Sequence, residues 1–443
     1  MGSTNQKDHD LGPAAADTRP HVVIVGAGFG GLACAKAMGG RNVRVTIIDR
    51  HNYHLFVPLL YQVATAALSP ADIAEPIRRI LRKHTNIDVI MAEVIGVDLA
   101  NRRVQLEQGR LVPYDRLVLA TGSSYNYFGN DHWAAYAPGL KTVSDARQIR
   151  AKVLLGFERA ETSRDPAEQA ALMTSVIVGG GPTGVEMAGA IAELARWSLR
   201  RDFRNIDPGS ARVILVEAGS RILAPFPEKL AGYAHRALER MGVEIRIGQA
   251  VGDVRADGVL IGEEFIKAST VVWGAGIAAS PAARWLRIET DRSGRIPVRD
   301  DLSVKGVDDV FAIGDTALML DLEDRPLPGL AQVAKQQGQH LGNSLAAHLE
   351  RGTPLAPFRF RNRGNTAVVG RSAAIFDFGK RQLKGWFAWV MWAVIHVYLL
   401  VAFEQRLLVS VQWFWRWITY QNGARLISYD RLEQGDSAQR ENE

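Results

Sequence analysis

An α/β architecture in which one parallel-sheet unit is used twice, followed by an amphipathic helical segment of different character, is what the 443-residue sequence predicts. Three observations carry that reading. The order strand, glycine-rich turn, helix, strand, acid occurs near residue 21, it recurs near residue 175, and after residue 379 the chain turns apolar and tryptophan-rich. Strands alternating with helical stretches argue for parallel sheets covered by helices.

The first unit opens with the apolar run His21-Val22-Val23-Ile24-Val25, a strand in length and composition. Gly26-Ala27-Gly28-Phe29-Gly30-Gly31 follows, then an alanine-rich helical stretch to about Met38, then a strand over residues 43–48 ending at Asp49. A pyrophosphate is anionic and needs close approach to backbone N–H groups. Gly26 allows the tight turn, Gly28 removes the side chain that would block the phosphates, and Gly31 lets helix and strand pack. The helix amino terminus then faces the anion. Asp49 falls near the offset at which an acid accepts hydrogen bonds from ribose hydroxyls.

The second unit repeats the order with residues 175–178, Gly179-Gly180-Gly181-Pro182-Thr183-Gly184, a long helix, residues 212–216 and Glu217. Its acid comes later than in the first unit, and the polar insertion 197–210 accounts for the delay by lengthening helix and loop. Glu217 would repel a 2′-phosphate, which favours NADH over NADPH, while Arg221 nearby pulls the other way. Two Rossmann-type units in one chain call for two dinucleotides. A further strand, residues 310–313, ends in Gly314-Asp315, at the carboxyl edge where ligands collect in open parallel sheets.

The tail differs in kind. Residues 385–403 contain no Lys, Arg, Asp or Glu, and six of the ten tryptophans lie between Trp386 and Trp417. Over residues 405–420, Leu407, Leu408, Val411, Phe414, Trp415 and Ile418 share one helical face, with Gln405, Gln412, Arg416 and Thr419 opposite. A helix of that uncharged length reaches roughly 28 Å, so spanning a bilayer is possible on length alone. Trp386, Trp389 and Trp392 at one end, and an amphipathic helix next, fit a segment lying in the interface beside anionic lipid better. A monotopic anchor is the preferred reading.

Composition excludes several classes. The net charge of +6 and pI near 9.4 come with no DNA- or RNA-reading motif, so nucleic acid is not an expected partner. Cys34 is the single cysteine, which rules out a disulfide or a CxxC redox pair within the chain. No set of His, Cys, Asp or Glu has metal-ligand spacing, and no metal is expected. Residues 1–20 are polar, carry Asp8, Asp10 and Asp17, and match neither a signal nor a transit peptide. They read as a disordered tail, with catalysis on the cytoplasmic side.

The paired units resemble the two-dinucleotide-binding-domain flavoproteins, in which the first unit holds FAD and an inserted second unit holds NAD(P)H. Residues 117–122 (LVLATG) resemble that group's ATG segment, which crosses back to the FAD. Gly314-Asp315 resembles its late GD motif, whose acid binds the ribityl and phosphate region, and Trp273-Gly274-Ala275-Gly276 the end of its nicotinamide domain. Residues 53–65 (YHLFVPLLYQVAT) resemble the HxFxPLLYxVAT segment of type II NADH:quinone oxidoreductases, and residues 331–338 (AQVAKQQG) their AQxAxQ quinone-site motif. The tryptophan-rich tail, with Lys384-Gly385 before it, resembles their membrane-anchoring helices.

That resemblance implies non-covalent FAD held by Gly26, Gly28, Phe29, Gly30, Gly31, Asp49, Arg50, His54, Val94, Ala120, Thr121, Gly122, Gly314, Asp315, Ala331 and Gln332. It places NADH, as substrate, at Gly179, Gly181, Pro182, Thr183, Gly184, Glu186, Glu217, Ala275 and Gly276. Hydride passes from nicotinamide to flavin, and the amino end of the 331–338 helix stabilises the negative charge of the reduced flavin. Glu186 reads either as a group beside the nicotinamide or as a first-turn acid favoured by the helix dipole. His54 reads either as a packed, hydrogen-bonded histidine or as a proton carrier; His396 reads as a structural histidine. Gln332 and Gln336 belong to the quinone pocket, Lys384 to its membrane side, and together with Glu186 they form the expected catalytic set.

The implied division is a disordered tail (1–20), an FAD domain in two parts (21–145 and 291–378, the latter with the quinone-site helix), an inserted NAD(H) domain (146–290), membrane-anchoring helices (379–428) and a polar tail (429–443). The resemblance further implies a homodimer on the cytoplasmic face of the inner membrane, passing electrons to ubiquinone or menaquinone without proton pumping. Two other functions share these motifs. One is a soluble NAD(P)H-dependent reductase of a small electron-transfer protein, which leaves the tail unexplained; the other is an NADH-sensing signalling flavoprotein of the apoptosis-inducing-factor type.

Overall fold

The computed structural model describes residues 17–107, 109–399, 403–419 and 423–427, the residues 403–405 and 416–418 by their backbone alone. Most of the expected amino-terminal tail, all of the polar tail 429–443, and the facing of Gln405, Arg416 and Ile418 lie outside the described residues. Pro20, at the end of the expected tail, is already tied in: its carbonyl accepts from Arg44 N at 2.9 Å.

Two parallel sheets form the frame. The first runs in the order Val310–Ala312, Arg116–Leu119, His21–Val25, Arg44–Asp49, Ile87–Met91, and the second in the order Val243–Ile247, Arg212–Glu217, Thr174–Val178, Thr270–Trp273. The central strands His21–Val25 and Thr174–Val178 are buried at every position. That explains why both read as continuous apolar runs and not as alternating ones. Each sheet also carries its own three-stranded antiparallel meander: Val94–Asp98, Arg103–Leu106 and Leu111–Pro113 in the first unit, Val251–Arg255, Gly258–Ile261 and Glu264–Lys267 in the second. The repeat therefore extends beyond the glycine turns. Antiparallel pairing of Ser123–Tyr125 with Ile277–Ala279 ties the two units together.

The long helix Ala331–Arg351 lies along the first glycine-turn helix, Phe29–Ala37. Small residues set how closely they pack: a Cβ on Gly338 would stand 2.0 Å from the Gly30 carbonyl oxygen, and one on Gly342 2.5 Å from that of Cys34. In the second unit the helix Pro182–Glu193 is crossed instead by the strand Asn365–Gly370, and a Cβ on Gly189 would stand 1.8 Å from the Val369 carbonyl oxygen. Residues 331–370 thus contact the helix of each unit in turn. The insertion after the second helix is a wider turn, Leu194–Ser198, followed by a loop whose Arg204, Asn205 and Ile206 amides donate to the Glu161 carboxylate.

In the tail, the helices Trp386–Leu399 and Phe403–Thr419 fold against each other, with the Trp392 ring stacked on Trp413 at 5.1 Å. Trp413 Nε1 donates to Gln62 Oε1 at 2.8 Å, which docks the second helix onto the 53–65 segment. Val409 is fully buried, whereas Leu407, Leu408, Val411, Phe414 and Trp415 are exposed, as are Trp386, Phe387, Val394 and Tyr398 on the first helix. A helix on a water-facing surface turns its apolar side inward and its polar side out; this pair buries Ala388, Trp392 and Val409 and carries large apolar residues on the outward side as well. No described helix is long and apolar enough to cross a membrane.

Candidate active site

The two glycine turns are built alike. Gly26 and Gly179 sit at φ +101° and +106°, where an L side chain is strained, and their amides donate to Ile48 O and Val216 O at 2.7 and 2.8 Å. Gly31 and Gly184 pass so close to them that a Cβ would stand 1.8 Å from the Gly26 carbonyl oxygen and 1.9 Å from that of Gly179. At Gly28 and Gly181 a Cβ would meet nothing within 4 Å. Neither helix that follows has a side-chain cap or an acid in its first turn. Open space in front of uncapped N–H groups is what an anionic pyrophosphate requires.

The paired acids also correspond. Asp49 accepts from Ala27 N at 2.7 Å and His51 N at 2.8 Å, and Glu217 accepts from Gly180 N at 2.6 Å and Gly219 N at 2.7 Å. Each carboxylate braces the middle of its glycine turn as well as the strand end it sits on. The late position of Glu217 in the sequence is absorbed by the insertion, so it reaches the same station as Asp49.

Three chain passages meet where the units join. Thr121 Oγ1 bonds Ser280 Oγ at 2.5 Å and Thr316 Oγ1 at 3.2 Å, Gly122 N donates to Thr316 Oγ1 at 2.9 Å, and Ser123 Oγ donates to Asp315 Oδ2 at 2.6 Å. Beside this node is a cleft of about 150 Å³ lined by Ser123, Arg295, Gly314, Asp315, Gly329, Val333 and Gln337 among others. Gln337, almost fully buried, receives Gly314 N at 2.7 Å and so fixes the turn that carries Asp315. Ser123, Ser280, Thr316 and Gln337 were not legible as site residues. Only the extra glutamine after AQVAK stood in the sequence as a sign, and it reads equally well as solvated.

Several expected site residues have partners of their own. Gln332 donates to Gly364 O at 3.0 Å and accepts from Arg363 N at 3.2 Å; Gln336 donates to Arg361 O at 3.0 Å and accepts from Arg361 N at 3.1 Å. Both amides therefore hold the segment 361–364 onto the helix. The Lys384 ammonium lies over the Tyr233 ring at 5.5 Å, on the second unit's face. His54 is buried, its Nδ1 bonded to Ala27 O at 2.9 Å and its ring edge-on to Phe29, and burial lowers its pKa. His396 bonds Trp392 O at 2.8 Å and is pushed down to about 4 by burial. Val94 is buried; Arg50 is exposed.

Glu186 needs a correction on one count. The first turn of Pro182–Glu193 contains no acid, so Glu186 is not a first-turn residue and lies beyond the positions where the helix dipole acts most strongly. Apolar surroundings push its carboxyl up to about 8, against a weak bond from Val368 N at 3.4 Å, although some of the residue's surface stays accessible. A carboxyl of that pKa exchanges its proton near neutral pH. Among the described residues no group of three or more His, Cys, Asp or Glu could hold a metal ion.

A doubled parallel-sheet unit with two anion-ready turns defines a dinucleotide-dependent oxidoreductase, and the family model for pyridine nucleotide-disulphide oxidoreductases matches residues 20–338. The chain is 40% identical over 431 residues to the type II NADH:quinone oxidoreductase Ndh of Mycobacterium tuberculosis, covering 94% of this chain and 92% of that one. It is 41% identical over 418 residues to NdhA of the same organism, covering 90% and 88%. A solved structure of NDH2 from Plasmodium falciparum in complex with NADH shares the fold, with a TM-score of 0.83 over 90% of this chain and 98% of that one at 20% identity. The chain belongs to the type II NADH:quinone oxidoreductases.

Proposed function

We propose that the protein oxidises NADH at the second unit and reduces a membrane quinone, ubiquinone or menaquinone, through FAD held non-covalently in the first. FAD, when bound, accepts hydride and passes the electrons on. The protein's own part is to seat one pyrophosphate at Gly26–Gly31 and another at Gly179–Gly184, and to brace each turn with Asp49 or Glu217. Glu186 acts as a proton-exchanging group beside the nicotinamide, and the amino end of Ala331–Arg351 stabilises negative charge. Gln332 and Gln336 shape the quinone end by holding segment 361–364, with Lys384 on its membrane side.

The outward-facing apolar surface of the two tail helices carries the membrane part of this reading. Residues 379–428 serve as a peripheral anchor on the anionic cytoplasmic face of the inner membrane, in a homodimer, with no proton pumped. The Trp413–Gln62 bond supports a direct link between anchor and flavin unit. A soluble reductase has no use for that surface. The test is to delete residues from 380 onward and confirm that the protein folds and keeps its flavin. NADH-to-ferricyanide activity should remain and long-chain quinone reduction should fall sharply. Unchanged quinone reduction would favour the soluble reductase, and slow reoxidation of the full chain by both quinone types would favour the signalling reading.

A further inference from the structure

The antiparallel strand pair between the two units, Ser123–Tyr125 with Ile277–Ala279, carries at Ser123 a polar chain that lies outside the roles of the glycine turns. Ser123 Oγ, which donates to Asp315 Oδ2, also accepts from Lys141 Nζ at 2.5 Å. A hydroxyl has one proton and two lone pairs, so it can serve both partners at once. Lys141 is fixed from behind: its backbone N–H donates to Asp145 Oδ2 at 3.0 Å, and Asp145 is the capping-box acid of the helix Val143–Thr162. That helix leads from the junction into the second unit. Ser123 and Asp315 line the cleft, and Lys141 stands one hydroxyl behind them. Burial lowers the pKa of the ammonium, and the nearby Asp315 charge opposes that shift. A sequestered ammonium is tolerated where a hydrogen-bonded chain leads to a counter-charge, and here that charge is Asp315.

We propose that Lys141 is a positioning residue of the flavin site, orienting the Asp315 carboxylate through Ser123 and adding a fixed positive charge to the cleft. The proposal rests on FAD occupying the first unit. Without the ammonium, the Asp315 carboxylate loses its counter-charge and the order of its hydrogen-bond partner. FAD then binds more weakly, and reduction, which adds negative charge, becomes less favourable.

The experiment uses the full chain and the variants K141M, K141R and S123A, with thermal melts and circular dichroism as folding controls. FAD dissociation constants and flavin midpoint potentials are measured for each. K141M should bind FAD roughly ten- to a hundredfold more weakly, as expected for loss of a charge-assisted bond, and its potential should become more negative. K141R should recover most of the potential, because it keeps the charge. S123A should lose affinity with a smaller change in potential, because the ammonium remains. A folded K141M with wild-type affinity and potential overturns the proposal. So does a K141R as impaired in potential as K141M, which would reduce the lysine to packing. If K141M fails to fold, S123A decides: wild-type affinity there overturns the proposal. A wild-type protein that carries no flavin sinks the FAD reading itself, a result separable from all of these.

Discussion

The two glycine turns share dihedrals, acid braces and close contacts, yet they differ in what covers them. Over the first, Gly30 is buried, and a Cβ there would meet Ile313 at 3.2 Å and the Ala334 carbonyl oxygen at 3.3 Å, because the helix Ala331–Arg351 roofs it. At the matching positions of the second, Pro182 and Thr183 are exposed. One architecture thus yields a roofed site and an open one. A roofed site suits a dinucleotide that stays bound, and an open one suits a dinucleotide that must leave after each turnover. The roof comes from residues far along the chain, outside the repeated unit.

Equivalent lesions in the two turns should therefore have unequal results. Gly31→Ala and Gly184→Ala force nearly identical clashes, at 1.8 and 1.9 Å. Gly31→Ala should give protein without flavin, visible as loss of its absorbance, and so no activity with any acceptor. Gly184→Ala should stay flavin-loaded while kcat/KM for NADH falls on the order of a hundredfold, the usual cost of a misplaced reactant. Equal flavin loss in both variants would break the distinction between a resident and an exchanging site.

The acids sharpen the comparison at a smaller scale. Glu217→Ser should lift repulsion toward a 2′-phosphate and narrow the NADH preference over NADPH about tenfold, the size of one charge-assisted interaction. It also removes two bonds to the turn, so some loss of NADH kcat/KM itself should accompany the change. A wild-type enzyme that prefers NADPH would remove the basis for this prediction.

Both turns, both sheets and the acids at the strand ends were legible in the sequence, because each demands specific residues at fixed short spacing. The packing of the helix Ala331–Arg351 on the first glycine-turn helix was not. Gly338 and Gly342 matter for what lies across from them, at Gly30 and Cys34, and sequence spacing carries no information about that distance in space. The polar node had the same difficulty: Ser123, Lys141, Ser280, Thr316 and Asp315 come from four separate passages of the chain. Gln332 and Gln336 were visible as a motif, but their hydrogen bonds to segment 361–364 were not.

Glu186 gives a prediction in pH. A carboxyl whose pKa is raised on folding binds its proton more tightly folded than unfolded. The contribution of Glu186 to wild-type stability should therefore fall as pH rises from the ordinary value of 4.5 to about 8, and level off beyond. Glu186→Gln has no such proton to lose. Its melting temperature relative to wild type should rise across that window, read from melts at pH 4.5, 6, 7 and 8.5. A constant difference would mean that the carboxyl is not held in its neutral form.

The smallest expected effect concerns how the tail is joined to the first unit. Trp413 makes two distinct contacts: its ring stacks on Trp392, and its Nε1–H donates to Gln62, which is nearly buried. Trp413→Phe keeps a smaller aromatic ring for the stack and removes the donor. The Gln62 carbonyl oxygen is then left short of a partner, at a cost of about 1–3 kcal/mol where the group is desolvated. The helix can relieve that cost by shifting away from segment 53–65, which on the proposed reading alters how the tail presents the first unit to a membrane. The flavin and both glycine turns are untouched. Long-chain quinone reduction in vesicles should therefore drop a few-fold while NADH-to-ferricyanide activity stays at the wild-type rate, and Gln62→Met should reproduce the pattern. If both activities fall together in Trp413→Phe, the bond supports the first unit itself, and the contact has no separate part in quinone delivery.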